Sequence, residues 1–373
     1  VKYYMHYVEQ GTTLYSIAKK YGIDVEEIIK ANPEAKKGIR PDQLLNPTDE
    51  VSLNYYHNYY RSTDNYVYST LSVSEGFHTD RHNLEFQHNF QAATDKRVVW
   101  GAETRLDRVR GQTWFGTGDW IETKLYRLFG NLEWRYRPEW ILNAGLMYEY
   151  NSITQGDFSP RLALNHHVAP GHTIRASATR AYRTPSTREH RPDFALRFPN
   201  GSVVNQFFLA RNPLLPEQMT AYEIGYFGEF PGAHLIVDAK IFREEVRRYI
   251  TDTRYLPTAD VYQYFVNDGA TDSNGAEVQL RWRPWPRTQL IYSHGYAHQR
   301  GTVVSESNPA LFASTTEFTP VHTRSLMGIQ ELPGNATASA AYYKLSNFRF
   351  GGGDNTGDFN TFDVRIAWKW RHD

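Results

Sequence analysis

Arg188, His190, Arg191, Phe194 and Arg197 crowd into one short stretch of the chain. Guanidinium groups interleaved with an aromatic ring suit an anionic, conjugated ligand, since the cations meet its charge and the ring meets its π face. The same composition also fits an ordinary solvated loop. Other chemistry-bearing groupings fall short. The pairs His166-His167 and Glu189-His190 lack both the i, i+4 spacing of a helical metal motif and a third ligand, so no metal ligands are assigned. Glu244 and Glu245 are neighbours on an expected strand and point to opposite faces, which rules out an acid/base pair. "GGGDNTGD", Gly351 to Asp358, resembles an acidic calcium loop but does not repeat, and it reads as a flexible turn. No Gly-x-Ser-x-Gly elbow and no Gly-x4-Gly-Lys loop occurs, and the chain has no cysteine. The expectation is a binding protein with no catalytic residues and no cofactor.

The elements that must position these residues show in the hydropathy pattern. Lys+Arg and Asp+Glu balance at 41 each, so no bulk charge draws the chain to nucleic acid. Aromatics make up 15% of the residues, which argues against disorder despite a low mean hydropathy. No apolar run is long enough for a membrane-spanning helix, whereas barrel strands are half polar by construction. From about residue 51 period two dominates. Val98, Trp100, Ala102, Thr104 and Leu106 oppose Glu103, Arg105 and Asp107. Tyr126, Leu128, Gly130, Leu132, Trp134 and Tyr136 oppose Arg127, Asn131, Glu133 and Arg135. Trp140, Leu142, Ala144, Leu146, Tyr148 and Tyr150 oppose Asn143 and Glu149. At the far end Phe362, Val364, Ile366, Trp368 and Trp370 oppose Asp363, Arg365 and Lys369. Segments near ten residues or longer match the roughly 9–11 that cross a tilted bilayer, and Trp and Tyr bracket their apolar faces.

A charged opposite face in strand after strand suits a wet lumen better than a packed sandwich core. The expected fold class is mainly β, an antiparallel transmembrane β-barrel of about fifteen strands. "YRPEW" and "WRPWPRTQ" read as tight turns, and residues 184–216, 251–273 and 298–320 as long loops, the asymmetry of an outer-membrane barrel. In "HTIRASATRAYRTPS", Ile174, Ala176, Ala178 and Tyr182 are expected to face lipid, with Arg175, Ser177, Thr179 and Arg183 facing the lumen. Arg180 shares the lipid-side parity and is placed near the interface, where such a charge is tolerated.

Residues 1–47 differ. Leu14, Ile17, Ala18 and Tyr21 recur with helical spacing before Gly22, and Asp24 is expected to cap a second helix with Glu27 as its capping-box partner. Ile28, Ile29 and Ala31 supply that helix's buried side. Strands in "YYMHYV" and "DQLLNP" would pair to close a small α+β unit of βααβ order.

"HYVEQGTTLYSIAKKYGIDVEEIIKANPEAKKGIRPDQLLNP" resembles a LysM domain along its whole length. The resemblance implies binding of N-acetylglucosamine glycans, peptidoglycan or chitin, in a groove where Gly11, Thr12, Thr13 and Leu14 face Asn32, Pro33, Gly38 and Ile39. Read as residues alone, Leu14, Ile17 and Ile39 suit a core, and Gly11 and Gly38 suit turns.

A second resemblance covers most of residues 51–373. "FSPRLALNHHVAPGHTIRASATRAYRTPS", "NPLLPEQMTAYEIGYFGEF", "HLIVDAKIFREEVRRYI" and "NDGATDSNGAEVQLRWRPW" are similar, in order and spacing, to successive strands of TonB-dependent outer-membrane receptors. That family implies energised uptake of a scarce chelate such as a ferric siderophore, through a 22-stranded barrel with an N-terminal plug. The expected organisation is therefore a LysM domain at 1–47, a linker at 48–54 and the C-terminal two thirds of a family barrel at 55–373.

The chain starts at Val1, no plug or coupling motif stands before the barrel, and Arg371-His372-Asp373 follow Trp370 where the family ends on an aromatic residue. The expectation is a truncated or composite chain that engages the TonB complex only if a plug is supplied upstream. The alternative is a plug-free outer-membrane pore tethered to peptidoglycan by LysM. A LysM-bearing cell-wall hydrolase finds no supporting motif. Expected partners are outer-membrane lipid, peptidoglycan glycans and an iron–siderophore or similar chelate.

Overall fold

In a computed structural model the described residues are 6–7, 13–21, 24–32, 35–36, 44–45, 50–68, 71–74, 76–198, 200–255, 262–303, 319–350 and 354–370. The N-terminal unit has strands β1 (His6–Tyr7) and β2 (Leu44–Leu45), and helices α1 (Leu14–Tyr21) and α2 (Val25–Ala31). β1 and β2 pair antiparallel as the βααβ reading expected, with His6 opposite Leu45 and Tyr7 opposite Leu44. Ile17, Ala18, Ile28 and Ala35 form its core, with Leu14 and Val25 packed against it. Asp24 stands at the α2 N-cap as expected, but no capping box forms there, because its side chain makes no cap bond. Its carbonyl accepts from Glu27 N at 3.1 Å instead. The reciprocal side-chain cap falls on α1, where Ser16 N donates to Thr13 Oγ1 at 3.1 Å and Thr13 N to Ser16 Oγ at 3.0 Å.

The rest of the chain is strand. β3 (Glu50–Ser62) is followed by a small hairpin, β4 (Asn65–Tyr68) and β5 (Leu71–Ser74). Then come β6 (Phe77–Ala93), β7 (Lys96–Gly111), the one-turn helix α3 (Gln112–Phe115), β8 (Thr117–Arg137), β9 (Trp140–Asn151), β10 (Gln155–Ala169) and β11 (His172–Arg183). α4 (Thr187–His190), β12 (Asp193–Arg197) and β13 (Val203–Leu209) fill the next connection. β14 (Glu217–Phe230), β15 (Leu235–Tyr255), β16 (Tyr262–Trp285), β17 (Thr288–Val303), β18 (His322–Leu332) and β19 (Ala336–Leu345) continue the wall. A second small hairpin, β20 (Arg349–Phe350) with β21 (Asp354–Asn355), precedes β22 (Phe359–Trp368). Among the described residues one sixteen-stranded sheet forms, running in chain order from β3 to β22 but stepping over the β4–β5 and β20–β21 hairpins, with β12 and β13 lying off that path.

Backbone alternation places the faces as the sequence pattern expected. Ala102, Leu128 and Tyr148 share one row of the sheet, and Trp100, Gly130 and Leu146 the next but one. Leu128, Leu146, Phe158, Leu162, Ile174, Ile224, Ile241 and Ile366 are all exposed on this outer face. The opposite face carries ion pairs. Arg127 lies between Glu103, at 3.0 Å, and Glu149, at 2.5 Å. Arg175 reaches two strands across to Asp238, passing over Gly225, where a Cβ would come within 2.5 Å of the Arg175 Nε. An aromatic belt closes the tight-turn end. Trp134 Nε1 donates to Asp95 at 2.9 Å, Trp282 Nε1 to the Ala233 carbonyl at 3.1 Å, and Trp368 Nε1 to the Gly334 carbonyl at 2.8 Å. Their polar edges meet the turns while the rings stay at the apolar band. Tyr126 and Tyr150, adjacent across β8 and β9, mark the other margin.

Three expectations shift. Residues 251–273 and 298–320 are not loops throughout, because β15 continues to Tyr255, β16 begins at Tyr262 and β17 reaches Val303. Asp252, Gln263, Asn267, Asp268, Asp272, Ser273 and Gln299 stand on strands projecting past the apolar band, where water on both faces makes polar side chains compatible with a full backbone ladder. Residues 256–261 and 304–318 lie outside the described residues. β15 and β16, of 21 and 24 residues, are roughly 70–80 Å long at about 3.3 Å per residue, far more than a bilayer requires. The segment 48–54 is not wholly a linker either, since Glu50 already pairs with Asn89 and Val51 with His88.

Candidate ligand-binding surface at the long-loop end

The connection from β11 to β14 is tied down at its base. Arg183, the last residue of β11, bonds Glu217 at 2.5 and 2.8 Å and Glu189 at 3.0 and 3.1 Å. Ser186 and Glu189 form a capping box on α4. Burial by itself would raise the Glu189 pKa. The hydrogen bonds from Arg183 and Ser186 outweigh it and hold the carboxyl below its ordinary value. His190 is shifted down by burial and by the neighbouring Arg191 cation, and its Nδ1 is buried with no hydrogen-bond partner.

From this base an aromatic stack rises. Trp114 of α3 lies parallel to Phe194 of β12, with centroids 4.4 Å apart and planes at 10°. Phe194 in turn stacks on Phe207 at 5.0 Å. The Arg188 guanidinium is 4.4 Å from the centre of the Trp114 ring. α3 is fixed against β12 through Asp193, whose carboxylate occupies the space a Cβ would need at Gly116; Gly116 itself has φ +66°. A glycine permits both the left-handed turn and that close approach. Arg188 and Trp114 border a cavity of about 570 Å³ that Asn58, Asp107, Thr123 and Thr184 also line.

The five loop residues singled out by sequence therefore separate. Arg188 and Phe194 are brought together on Trp114. Arg197 is bonded to Asp193 at 2.6 Å and supports the β12–β13 hairpin. His190 is half-buried beside them, and Arg191 is exposed. Trp114 escaped the sequence reading because α3 lies in a different connection, about eighty residues earlier than Phe194, and Phe207 because only the hairpin pairing of β12 with β13 brings it to Phe194. His166 and His167 do not converge: His166 stacks on Trp140 at 3.8 Å, and His167 meets Thr173 Oγ1 at 2.9 Å. Asp358 bonds Lys344 at 3.1 Å, while Gly351–Gly353 lie outside the described residues.

In the N-terminal unit, Gly11, Thr12, Pro33, Gly38 and Ile39 lie outside the described residues. Thr13 caps α1, and Leu14 packs on the core. Asn32 is buried and donates from its amide to the Ile28 carbonyl at 2.9 Å.

With the wall and its rim in place, comparison with known proteins is direct. The family described as "TonB dependent receptor-like, beta-barrel" matches residues 36–373. The chain belongs to this family. A LysM domain matches residues 6–53, overlapping the start of the barrel match. No curated protein matches the chain.

Solved structures with a similar fold include three receptors or transporters. The ferric enterobactin receptor PfeA of Pseudomonas aeruginosa has a TM-score of 0.69 at 13% identity, covering 86% of this chain and 52% of its own. The siderophore receptor PirA of Acinetobacter baumannii has a TM-score of 0.66 at 12% identity, covering 87% and 54%. The copper transporter OprC has a TM-score of 0.64 at 18% identity, covering 86% and 56%. The chain thus spans about half the length of these structures. Its fold is that of outer-membrane receptor barrels. No described helix is long and apolar enough to cross a membrane.

Proposed function

We propose that this chain supplies barrel wall and ligand-contacting rim to an outer-membrane receptor that takes up a scarce metal chelate, such as a ferric siderophore. The observation that carries the reading is the Arg188–Trp114–Phe194–Phe207 stack at the cavity rim. An anionic chelate built from flat conjugated arms would gain charge neutralisation from Arg188 and stacking on the rings, each contact worth about 0.5–2 kcal/mol. Family membership supports the same direction, as do similar structures that are siderophore receptors. In this reading, engagement of the TonB complex runs through a plug domain and not through the wall.

The N-terminal unit is proposed to hold peptidoglycan or a related N-acetylglucosamine glycan from the periplasmic side. Supporting this, the chain enters β3 at the tight-turn end, where Glu50 pairs with Asn89 near the β6–β7 turn. Tight turns are the periplasmic connections of such barrels.

The test is ferric-catecholate binding followed by fluorescence quenching of the full chain in detergent. Trp114→Ala and Arg188→Ala are each expected to weaken binding about tenfold, in line with loss of one such contact. Arg197→Ala, which removes a hairpin brace, is expected to act less. Unchanged affinity in Trp114→Ala and Arg188→Ala together would remove the rim from the mechanism. Retention on purified peptidoglycan is expected for the full chain and lost when residues 1–47 are deleted; equal retention would refute the glycan role.

A further inference from the structure

Antiparallel pairing of β3 with β6 sets His57 directly opposite His82. Two residues along β6, Asp80 points to the same face. His57 Nε2 is 2.6 Å and His82 Nε2 3.4 Å from the same oxygen, Asp80 Oδ1. The two imidazoles are stacked with centroids 4.5 Å apart and planes at 7°. One donor atom from each of the three residues can be chosen so that all lie within 4.8 Å of one another. The group stands on the outward face. Its row runs through Leu106 to Lys124, one pair beyond the row that holds Tyr126 at the margin of the apolar band.

We propose that His57, Asp80 and His82 bind one divalent transition-metal ion of the zinc, nickel or copper class, clipping β3 to β6 at the outer rim. Two imidazoles with one carboxylate are the donors such ions take, whereas calcium and magnesium require a mainly oxygen shell. Ligands about 2.0–2.2 Å from a tetrahedral ion lie about 3.3–3.5 Å apart, so donors now within 4.8 Å of one another need a movement of about 1.5 Å at most.

The surroundings orient the donors. Tyr55 Oη lies 3.0 Å from His82 Nδ1. A proton held on that nitrogen leaves the His82 Nε2 lone pair facing Asp80, which is the usual office of a group behind a metal-bound imidazole. Arg108 takes Asp80 Oδ2. That leaves Oδ1 for single-point ligation. The Asp80 side chain is only 10% exposed, so its charge is shielded from bulk water. Among the described residues β3 pairs with β6 alone, so an ion here would reinforce the strand with one attachment. Asp80 and Arg108 also border the cavity beside Trp114 and Arg188, while His57 and His82 pair across β3 and β6 on the outward face.

The experiment titrates zinc into full chain freed of metal by a chelator, in detergent. One tight equivalent is expected. His57→Ala, His82→Ala and Asp80→Asn should each weaken it at least tenfold. The control is the His294/His322 pair, which are 3.2 Å apart with Arg324 as third neighbour; replacing both with Ala should leave the tight equivalent in place. Loss of the equivalent in that control, or its survival in the His57→Ala/His82→Ala double variant, overturns the site. Should a variant fail to fold, the unaltered chain decides. One equivalent of Cu²⁺ should give an electron paramagnetic resonance spectrum with two equatorial nitrogens, and any other nitrogen count refutes the assignment.

Discussion

Ile28 and Leu146 are both large aliphatic residues, yet Ile28 is 2% exposed in the N-terminal unit and Leu146 is 52% exposed on the wall. The LysM unit folds against water, so Ile17, Ala18, Ile28 and Ala35 turn inward, and Lys19, Asp24, Glu26, Glu27, Lys30 and Lys36 are exposed. The wall reverses this arrangement. Its aliphatic side chains face outward, and Arg127, Glu103 and Glu149 pair on the inner face. Hydrophobic exposure that would mark an aggregation hazard in a soluble domain marks here a surface solvated by lipid. Burial therefore measures stability in the first region, and sidedness measures it in the second.

Mutations can break this comparison. Ile28→Ala is expected to have the largest effect, about 2–5 kcal/mol, against a core this small. Proteolysis should open residues 1–47 while the wall stays resistant. Cleavage of both regions together would show that the two do not fold separately. Leu146→Arg should cost the wall about 2–4 kcal/mol in urea unfolding from lipid vesicles, since the site lies at mid-band. Asn143→Arg, on the inner face opposite Glu133, should change stability much less. Equal losses would mean that the two faces have been exchanged.

The rim offers a pH test. Glu189 is held below its ordinary value of 4.5, so its contribution is complete above that pH and fades as pH falls through the lower folded value. Amide exchange across 184–216 should quicken below pH 4.5 before the wall strands respond, and Glu189→Gln should remove that step. The smallest effect is Arg180→Leu. Arg180 is exposed on the outer face, opposite Thr220 near the end of β11. Relief of about 0–1 kcal/mol is expected there, and a gain near that of a mid-band charge would place Arg180 deeper than its row suggests.

Much of the wall was legible from Val98–Leu106, Tyr126–Tyr136 and Trp140–Tyr150. Each carries its own apolar–polar alternation, and the observed rows join them face to face. The polar stretches at 251–255 and 262–273 were read as loops because composition mimics a loop wherever a strand leaves the bilayer. Of the rim, Arg188 and Phe194 could be named, but Trp114 could not. The capping-box expectation at Asp24 missed its place because the side-chain cap formed one helix earlier, at Thr13 and Ser16.

Side-chain parity along a strand is a property of backbone geometry and needs no partner, so the sequence alone determined which residues face lipid and which face the lumen. The helical period of Leu14, Ile17 and Ala18 is local in the same sense. Which strands lie side by side, and in what register, depends on ladders between residues far apart in the chain. That register placed His57 beside His82 and Arg127 between Glu103 and Glu149, and the packing of α3 against β12 brought Trp114 to Arg188 and Phe194.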